Sequence, residues 1–256
     1  MIRSLTLLSL AWLASWVPMT QTQDEPTAQS VIADYVTAKG GRGCLEATKN
    51  CSLRGKVTSA GKALGSFESF HAADKHLSIE TFPDGRERRH GTNGKIAWQI
   101  DLEGTPRILR GQEAKDYIRH YGTFNATLEW DKHFKAIQYI GESSVNATKV
   151  HHLSFVNSDD SRIDRYFSQA SGFLIREKQS VVLGDITDML VSDIGDYTQA
   201  DDGSWVPRSR INQFGKRDKI EFNISSVESN RILDDSFFNI PKSVLRLQQS
   251  SNRKTD

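Results

Sequence analysis

The chain has 256 residues, with 33 Lys plus Arg against 32 Asp plus Glu and a net charge of +1. Nucleic-acid binding requires a concentrated basic surface, so this near-balance excludes nucleic acid as a predicted partner. The length is sufficient for one large domain with its own core, and the sequence has no internal repeat, linker or shift in composition.

The first segment has the layout of a secretory signal peptide. Arg3 precedes an uncharged, largely apolar run from Ser4 to Met19, and a polar stretch follows. The run has about 16 residues, fewer than the roughly 20 that a membrane-spanning helix needs. We therefore predict that residues 1–23 are a signal peptide and that the protein is periplasmic. An uncleaved N-terminal anchor is the alternative, because no Ala-x-Ala cleavage pattern is present.

The chain after this segment starts with helical periodicity. Apolar residues recur at three- to four-residue spacing from Val31 to Val36, which predicts a helix over 27–39. A second short helix is predicted over 42–50 and carries Cys44.

From Ser52 onward the apolar residues alternate, which is the period of a β-strand. Asn93-Gly94 is a strong hairpin signal between two of the early strands. Helical patterns interrupt the alternation at 112–121 and 128–134, and strands then resume as far as about residue 229. Short turns join about eleven strands, so neighbouring strands must be antiparallel.

The predicted fold class is α+β. It is a single large curved antiparallel sheet, a half-open barrel, with N-terminal and inserted helices covering its concave face. This domain is predicted over 24–242. The polar residues 243–256 are predicted to be a disordered tail.

Sequence motifs that carry catalysis are absent. There is no His-Glu-x-x-His, Gly-x-Ser-x-Gly, Walker loop or dinucleotide fingerprint. The adjacent His151 and His152 would point to opposite faces of a strand, so they could not readily share a metal ion. We therefore predict no cofactor, no metal site and no enzymatic activity.

Large apolar side chains at alternating strand positions must be covered in the folded protein. Periodicity leaves two interpretations open: the helices fill the concave face completely, or they leave a cavity for a lipid. The candidate cavity residues are Phe67, Leu77, Ile79, Trp98, Ile100, Leu153, Phe155, Phe167 and Leu174.

Cys44 and Cys51 are the two cysteines of the chain. Without a nearby His or further Cys they cannot complete a four-ligand zinc site, and they lack the Cys-x-x-Cys spacing of a redox pair. In an exported protein a disulfide is the default, and it would join the short helix to the first strand. Two free buried thiols are the alternative.

Six segments of the chain, in order, resemble one family and together cover about residues 30–242. They are AKGGRGCLEATKNCSLRGKV, GTNGKIAWQID, LRGQEAKDY, RYFSQASGFLIREK, DYTQADDGSWVPRSRI and RILDDSFFNIP. The family is that of the periplasmic outer-membrane lipoprotein-sorting carriers, the LolA-like group in its broad sense.

This resemblance implies a half-open antiparallel barrel whose helices form a plug or lid over an apolar cavity that shields lipoprotein acyl chains. The predicted function is a monomeric periplasmic binding or carrier protein for such chains or for other lipid-like ligands, with an envelope protein as a further partner. A non-enzymatic envelope sensor or protein-interaction module on the same scaffold is the alternative.

Overall fold

The computed structural model describes residues 25–121, 128–234 and 236–252. The predicted signal peptide, residues 1–23, lies outside this part of the chain. Within the described ranges, no helix combines the length and the apolar character needed to cross a bilayer.

The described residues form five helices and thirteen strands. The helices are α1 (Ala28–Ala38), α2 (Arg42–Ala47), α3 (Gly111–Tyr121), α4 (Trp130–His133) and α5 (Lys242–Asn252). The strands are β1 (Asn50–Ser59), β2 (Lys62–Ala72), β3 (Lys75–Thr81), β4 (Glu87–Thr92), β5 (Ala97–Ile100), β6 (Pro106–Ile108), β7 (Ala136–Val145), β8 (Thr148–Val156), β9 (Arg162–Ser168), β10 (Leu174–Leu183), β11 (Ile186–Gln199), β12 (Trp205–Phe214) and β13 (Ile220–Ser229).

One antiparallel sheet contains all of these strands, in the order β6-β5-β4-β3-β2-β1-β13-β12-β11-β10-β9-β8-β7. Strands that are consecutive along the chain are neighbours in the sheet, except β6 and β7, which form its two edges. The first strand, β1, also pairs with the last one, β13. That pairing joins the N-terminal hairpins to the C-terminal ones and makes the sheet continuous.

Helix α3 shows how strongly this sheet curves. The helix lies against both β5 and β10, and β10 stands eight places from β5 in the strand order. In a flat sheet these two strands would be roughly 38 Å apart, whereas an eleven-residue helix is only about 16 Å long. The sheet therefore curls into a half-open barrel, and the predicted fold class is confirmed. We call the face that carries α1 and α3 the inner face.

Helix α1 fills one end of the inner face. Its N-terminus is capped by Thr27, whose hydroxyl accepts from the backbone N–H of Ser30 at 3.1 Å. Val31 and Ile32 point into a core cluster that α1 shares with α4 and with strands β8 to β10. The other buried members of the cluster are Ala28, Phe134, Leu153, Phe155, Ile163, Phe167 and Leu174.

The opposite, outer face of the sheet is covered near β2 to β6 by the C-terminal segment. Phe237 packs edge-on against Phe70 of β2, with ring centroids 4.7 Å apart. Helix α5 lies beside β6, and its Val244 is fully buried. The prediction of a disordered tail is therefore wrong for residues 243–252, because apolar residues within the polar segment anchor a helix to the sheet.

The strand number also differs from the prediction. The structure has thirteen strands where about eleven were expected. Strand β6 has three residues, too few to show an alternating pattern. The second helix ends at Ala47 rather than at residue 50, because the backbone becomes extended at Thr48.

The predicted disulfide is wrong in this structure, since Cys44 and Cys51 are both free. The Cys44 thiol donates to the backbone carbonyl of Asp202, with 3.2 Å between sulfur and oxygen. Burial raises the pKa of the Cys51 thiol to about 12, which keeps it protonated. Sequence spacing alone does not set the relative direction of the two Cβ atoms that a disulfide requires.

Candidate functional site

A cavity of about 150 Å³ lies on the inner face beneath α3. Strands β1 to β4, β12 and β13 form its floor and walls. It is lined by Leu53, Phe67, Ser69, His71, His76, Ser78, Glu80, His90, His120, Tyr121, Arg210, Asn212, Phe222 and Ile224.

One end of this cavity is apolar. Phe67 and Phe222 meet edge to face, with ring centroids 5.5 Å apart. Between their strands lies Gly55, where an added Cβ would come within 2.8 Å of the Phe67 ring and 2.1 Å of the Asn223 carbonyl oxygen. Glycine is therefore required there, because the aromatic ring packs directly on the backbone. Leu53 and Ile224 complete the apolar end.

The opposite end is polar and rich in histidine. The Ser69 hydroxyl lies 2.9 Å from His71 Nε2 and 3.1 Å from His76 Nε2. The Tyr117 hydroxyl of α3 lies 2.9 Å from His76 Nδ1 and 2.7 Å from His90 Nδ1. A hydroxyl has one proton to donate, so Tyr117 donates to one of these rings and accepts from the N–H of the other. The Tyr117 hydroxyl therefore bridges β3 and β4 through these two rings.

A carboxylate ends this hydrogen-bonded chain at β3. Glu80 Oε1 lies 3.4 Å from His90 Nε2, and its other oxygen pairs with the Arg88 guanidinium. Burial alone would raise the pKa of Glu80, but His90 and Arg88 outweigh that effect and hold the pKa below its usual value. Glu80 is therefore ionised, and the guanidinium of Arg88 balances its negative charge.

A second polar cluster surrounds Glu177 on β10. Arg165 Nε donates to Glu177 Oε2 at 2.9 Å, and Arg210 Nη2 lies 3.8 Å from Oε1. Burial would raise the pKa of Glu177, but Arg165, His120 and Arg210 together lower it to about 2. In the same cluster, His120 Nδ1 lies 2.8 Å from Gln179 Nε2. His120 therefore links α3 to β10 through its polar ring.

Burial keeps three of these histidines, His71, His76 and His120, neutral at pH 7. It lowers the pKa of His71 and of His120 to about 4, and the positive charge of Arg210 acts in the same direction on both. The pKa of His76 lies well below its usual value, again chiefly because of burial. These three rings therefore contribute hydrogen-bonding groups without charge to the inner face at pH 7.

Polar contacts also attach the N-terminal half of α3 at the rim of the barrel. The Asp116 carboxylate accepts from the Val182 backbone N–H at 3.2 Å, and Glu113 accepts from the Gly184 N–H at 3.1 Å. None of the α3 residues is fully buried. The helix is therefore held over the cavity by hydrogen bonds, by ion pairs and by the contacts of its Tyr117 and Tyr121 rings with His76 and His90. None of its residues belongs to the core cluster under α1.

The predicted cavity residues divide into three groups. Phe67 lines the cavity under α3. Leu153, Phe155, Phe167 and Leu174 belong to the core cluster under α1, where a cavity of about 100 Å³ remains. An open cleft of about 300 Å³ beside α1 is lined by Val31 and Phe167 and otherwise by mainly polar or small residues. At this end of the inner face, the interpretation of an ordinary filled core describes the structure best.

The third group lies on the outer face. Cross-strand pairing places His76, Ser78 and Glu80 on the cavity side of β3, so the intervening Leu77 and Ile79 point away from it. Trp98 pairs with Gly91 opposite Leu77, and Ile100 pairs with Arg89 opposite Ile79. Leu77, Ile79, Trp98 and Ile100 therefore do not line this cavity, which corrects their predicted placement.

The polar cavity residues were missed in the sequence. They alternate with apolar residues, as in Phe67-Glu-Ser69-Phe-His71 of β2, and such positions usually face solvent. The available signal was the set of histidines His71, His76 and His90 on three consecutive strands. His151 and His152 contact different partners, Tyr139 and Tyr166, and among the residues described no cluster of acidic, His and Cys side chains has metal-binding geometry.

Comparison with solved structures identifies the architecture. A LolA superfamily protein from Nitrosomonas europaea superposes with a TM-score of 0.57 at 14% identity, over 84% of this chain and 98% of that protein. The fold is LolA-like. A DUF1329 family protein from Desulfovibrio piger gives a TM-score of 0.56 at 13% identity, over 82% of this chain and 96% of the other.

A third structure with the LolA-like fold is an outer membrane lipoprotein-sorting protein domain from Vibrio parahaemolyticus. It gives a TM-score of 0.52 at 10% identity, over 82% of this chain and 94% of that domain. No family model matches the sequence, and no curated protein matches it either. The likeness therefore establishes the LolA-like fold, and the function has to be argued from the site.

Proposed function

We propose that this protein is a non-enzymatic binding or carrier protein for lipid-like ligands, either lipoprotein acyl chains or other hydrophobic amphiphiles. The observation that carries the proposal is the cavity under α3, which has an apolar end formed by Leu53, Phe67, Phe222 and Ile224 and a polar end beside it. An acyl chain on the apolar end would gain about 0.8 kcal/mol for each buried CH₂ group.

Entry of such a ligand requires α3 to move, because about 150 Å³ is less than the roughly 300 Å³ at which ligand pockets begin. The attachment of α3 favours this movement. Opening the helix breaks polar contacts such as those of Tyr117 and Asp116, whose groups can bond to water instead. Opening also separates Tyr117 and Tyr121 from His76 and His90, but it leaves intact the apolar core cluster that holds α1.

The location that we propose is the periplasm, with residues 1–23 removed as a signal peptide. The protein would act there as a monomer, and lipids or lipoproteins would be its partners. Intact mass of the protein purified from the envelope tests the cleavage. A mass that retains the first 23 residues would support the uncleaved anchor instead.

Displacement of the neutral fluorescent probe N-phenyl-1-naphthylamine by dodecanol tests the binding proposal. Leu53→Trp fills the apolar end of the cavity, so we expect it to weaken binding of the probe at least roughly tenfold. Ile79→Trp is the matched control, because it adds the same ring to the outer face of the sheet. Absence of probe and dodecanol binding to the unmodified protein, or equal binding by both variants, would overturn the proposal.

The second candidate is a non-enzymatic envelope sensor or protein-interaction module. The small cavity of about 150 Å³ favours this second candidate, because a sensor or interaction module does not need room for an acyl chain. Lipid extraction of the protein purified from its envelope separates the two. A co-purified acyl lipid supports the carrier, and a lipid-free protein that also fails to take up dodecanol supports the sensor.

A further inference from the structure

The inner face carries more positive than negative charge around the cavity. Three arginines, Arg88, Arg165 and Arg210, face two carboxylates, Glu80 and Glu177. Arg88 pairs with Glu80, and Arg165 holds Glu177 at 2.9 Å. One positive charge is left over among these five groups, and burial keeps His71, His76 and His120 neutral.

Arg210 is the residue that carries this surplus charge. Its nearest carboxylate oxygen, Glu177 Oε1, is 3.8 Å away and already shares its charge with Arg165. Arg210 Nε donates to Asn212 at 3.2 Å and Nη2 donates to Ser192 at 3.2 Å. These neutral contacts orient the guanidinium without neutralising it, and the side chain remains 32% exposed at the cavity.

The acidic side chains of α3 do not balance the positive charge of Arg210. Glu113 of α3 is held by Arg107 at 2.7 Å, and Asp116 lies 3.4 Å from Arg119. Both carboxylates also accept from backbone N–H groups at the rim of β10. Helix α3 places the His120 ring 3.5 Å from Arg210. Among its described residues, it places no unpaired carboxylate there.

The apolar end of the cavity begins one strand away from this charge. Arg210 of β12 pairs directly across the sheet with Phe222 of β13, and such pairs have Cβ atoms about 5 Å apart. Phe222 in turn contacts Phe67. A single acyl chain lying on the two rings would place a terminal group beside Arg210.

We propose that Arg210, together with Asn212 and the ring of His120, binds the oxyanion of a single-chain anionic amphiphile whose tail lies on Phe67 and Phe222. This inference rests on the proposed function and adds the ligand class to it. A planar guanidinium suits a carboxylate or a phosphate, because it presents parallel N–H donors to two oxygens. A fatty acid and a phosphate-bearing lipid both fit this description, since each has an acyl chain and a terminal carboxylate or phosphate.

The test is a set of C12 ligands that share one chain length and differ at the terminal group. Dodecanoate, dodecyl phosphate, dodecanol and dodecyltrimethylammonium are each used below their micelle concentrations to displace N-phenyl-1-naphthylamine at pH 7.5. We expect one or both anions to bind roughly 10- to 100-fold more tightly than dodecanol, the range of a charge-assisted hydrogen bond. The stronger of the two anions distinguishes a fatty acid from a phosphate-bearing lipid.

Arg210→Gln should remove most of the roughly 10- to 100-fold preference for the anion over dodecanol. Its affinity for dodecanol should change far less. Arg176→Gln is the matched control, because Arg176 pairs with Asp193 on the outer face of the neighbouring strands; its preference for the anion should match that of the unmodified protein. If Arg210→Gln does not fold, Arg210→Lys keeps the charge but loses the planar donor pair and should weaken anion binding severalfold.

Two results would overturn the inference in distinguishable ways. If dodecanol binds as tightly as both anions, the anion site is wrong and the proposed lipid binding stands. If no C12 compound binds, the proposed function fails and the anion site fails with it. Anion preference that survives in both Arg210 variants would also contradict the role of this residue.

Discussion

Helices α1 and α3 both cover the inner face of the sheet, but they are attached by opposite means. Helix α1 buries Ala28, Val31 and Ile32 in a core with aromatic and aliphatic residues of β8 to β10. Helix α3 has no fully buried residue and is held by Tyr117, His120 and its carboxylates. An apolar contact is lost when it meets water, whereas a polar contact is largely replaced by water. On the proposed function, we therefore call the first helix the plug and the second the lid.

The largest effect that we expect comes from acid, and it acts on the lid. His71 and His120 have folded-state pKa values of about 4, below the unfolded value of 6.5. The unfolded chain therefore binds more protons as the pH falls, and stability is complete above pH 6.5 and is lost toward pH 4. From pH 7 to pH 5 the two residues should cost on the order of 4 kcal/mol of unfolding free energy.

Urea unfolding at pH 7 and pH 5 measures this loss. Glu177, whose folded pKa of about 2 lies below the unfolded value of 4.5, contributes to the pH dependence only below that range, so the interval isolates the histidines. His120→Gln should remove about half of the loss assigned to the two residues. His133→Gln, at an exposed position of α4, should leave the pH dependence unchanged. Equal stability at both pH values would contradict the burial of these rings.

A truncation in the plug is the next largest effect. Ile32→Ala removes buried methyl groups from the α1 core, and such changes cost about 2–4 kcal/mol. Thermal unfolding measures the loss. Gln29→Ala, on the exposed side of the same helix, should change stability by less than about 0.5 kcal/mol. Equal melting temperatures for the two variants would contradict the role of α1 as a plug.

Removal of one hydroxyl loosens the lid by a smaller amount. Tyr117→Phe leaves His76 Nδ1 and His90 Nδ1 without their shared partner, which should cost about 1–3 kcal/mol. Amide hydrogen exchange should become faster in α3 while exchange in α1 stays the same. Tyr166→Phe is the control, because this ring stacks on His152 away from the lid. Faster exchange in both helices would show that lid and plug open together.

The smallest effect concerns the connection that follows α1. Cys44→Ser keeps a donor for the Asp202 carbonyl, so it should change the unfolding free energy by less than about 1 kcal/mol. Alkylation of the denatured protein, followed by mass spectrometry, should find two thiols, and Cys51 should react slowly in the native state because its pKa is about 12. Recovery of an unreactive, disulfide-linked pair would contradict the free thiols of the structure.

Apolar periodicity was sufficient to predict α1 and its buried side, but not the polar contacts that hold α3. The spacing from Val31 to Val36 predicts α1 and the side that it buries. The helix over 112–121 was also predicted, and α3 spans Gly111–Tyr121. The polar partners of α3 were not, because His71, His76 and His90 occupy positions that in a one-sided sheet would face solvent.

The sequence by itself determined the fold class, because alternation and short turns allow only an antiparallel sheet with helices at two known places. It could not decide which face of β3 and β5 lies inside. Both faces are covered there, the outer one by the C-terminal segment around Phe237 and Val244. Leu77 and Trp98 are therefore apolar on the outside, while His76 and Glu80 are polar on the inside. Only the curvature of the sheet, which brings β3 and β10 beneath one helix, made these polar residues a site.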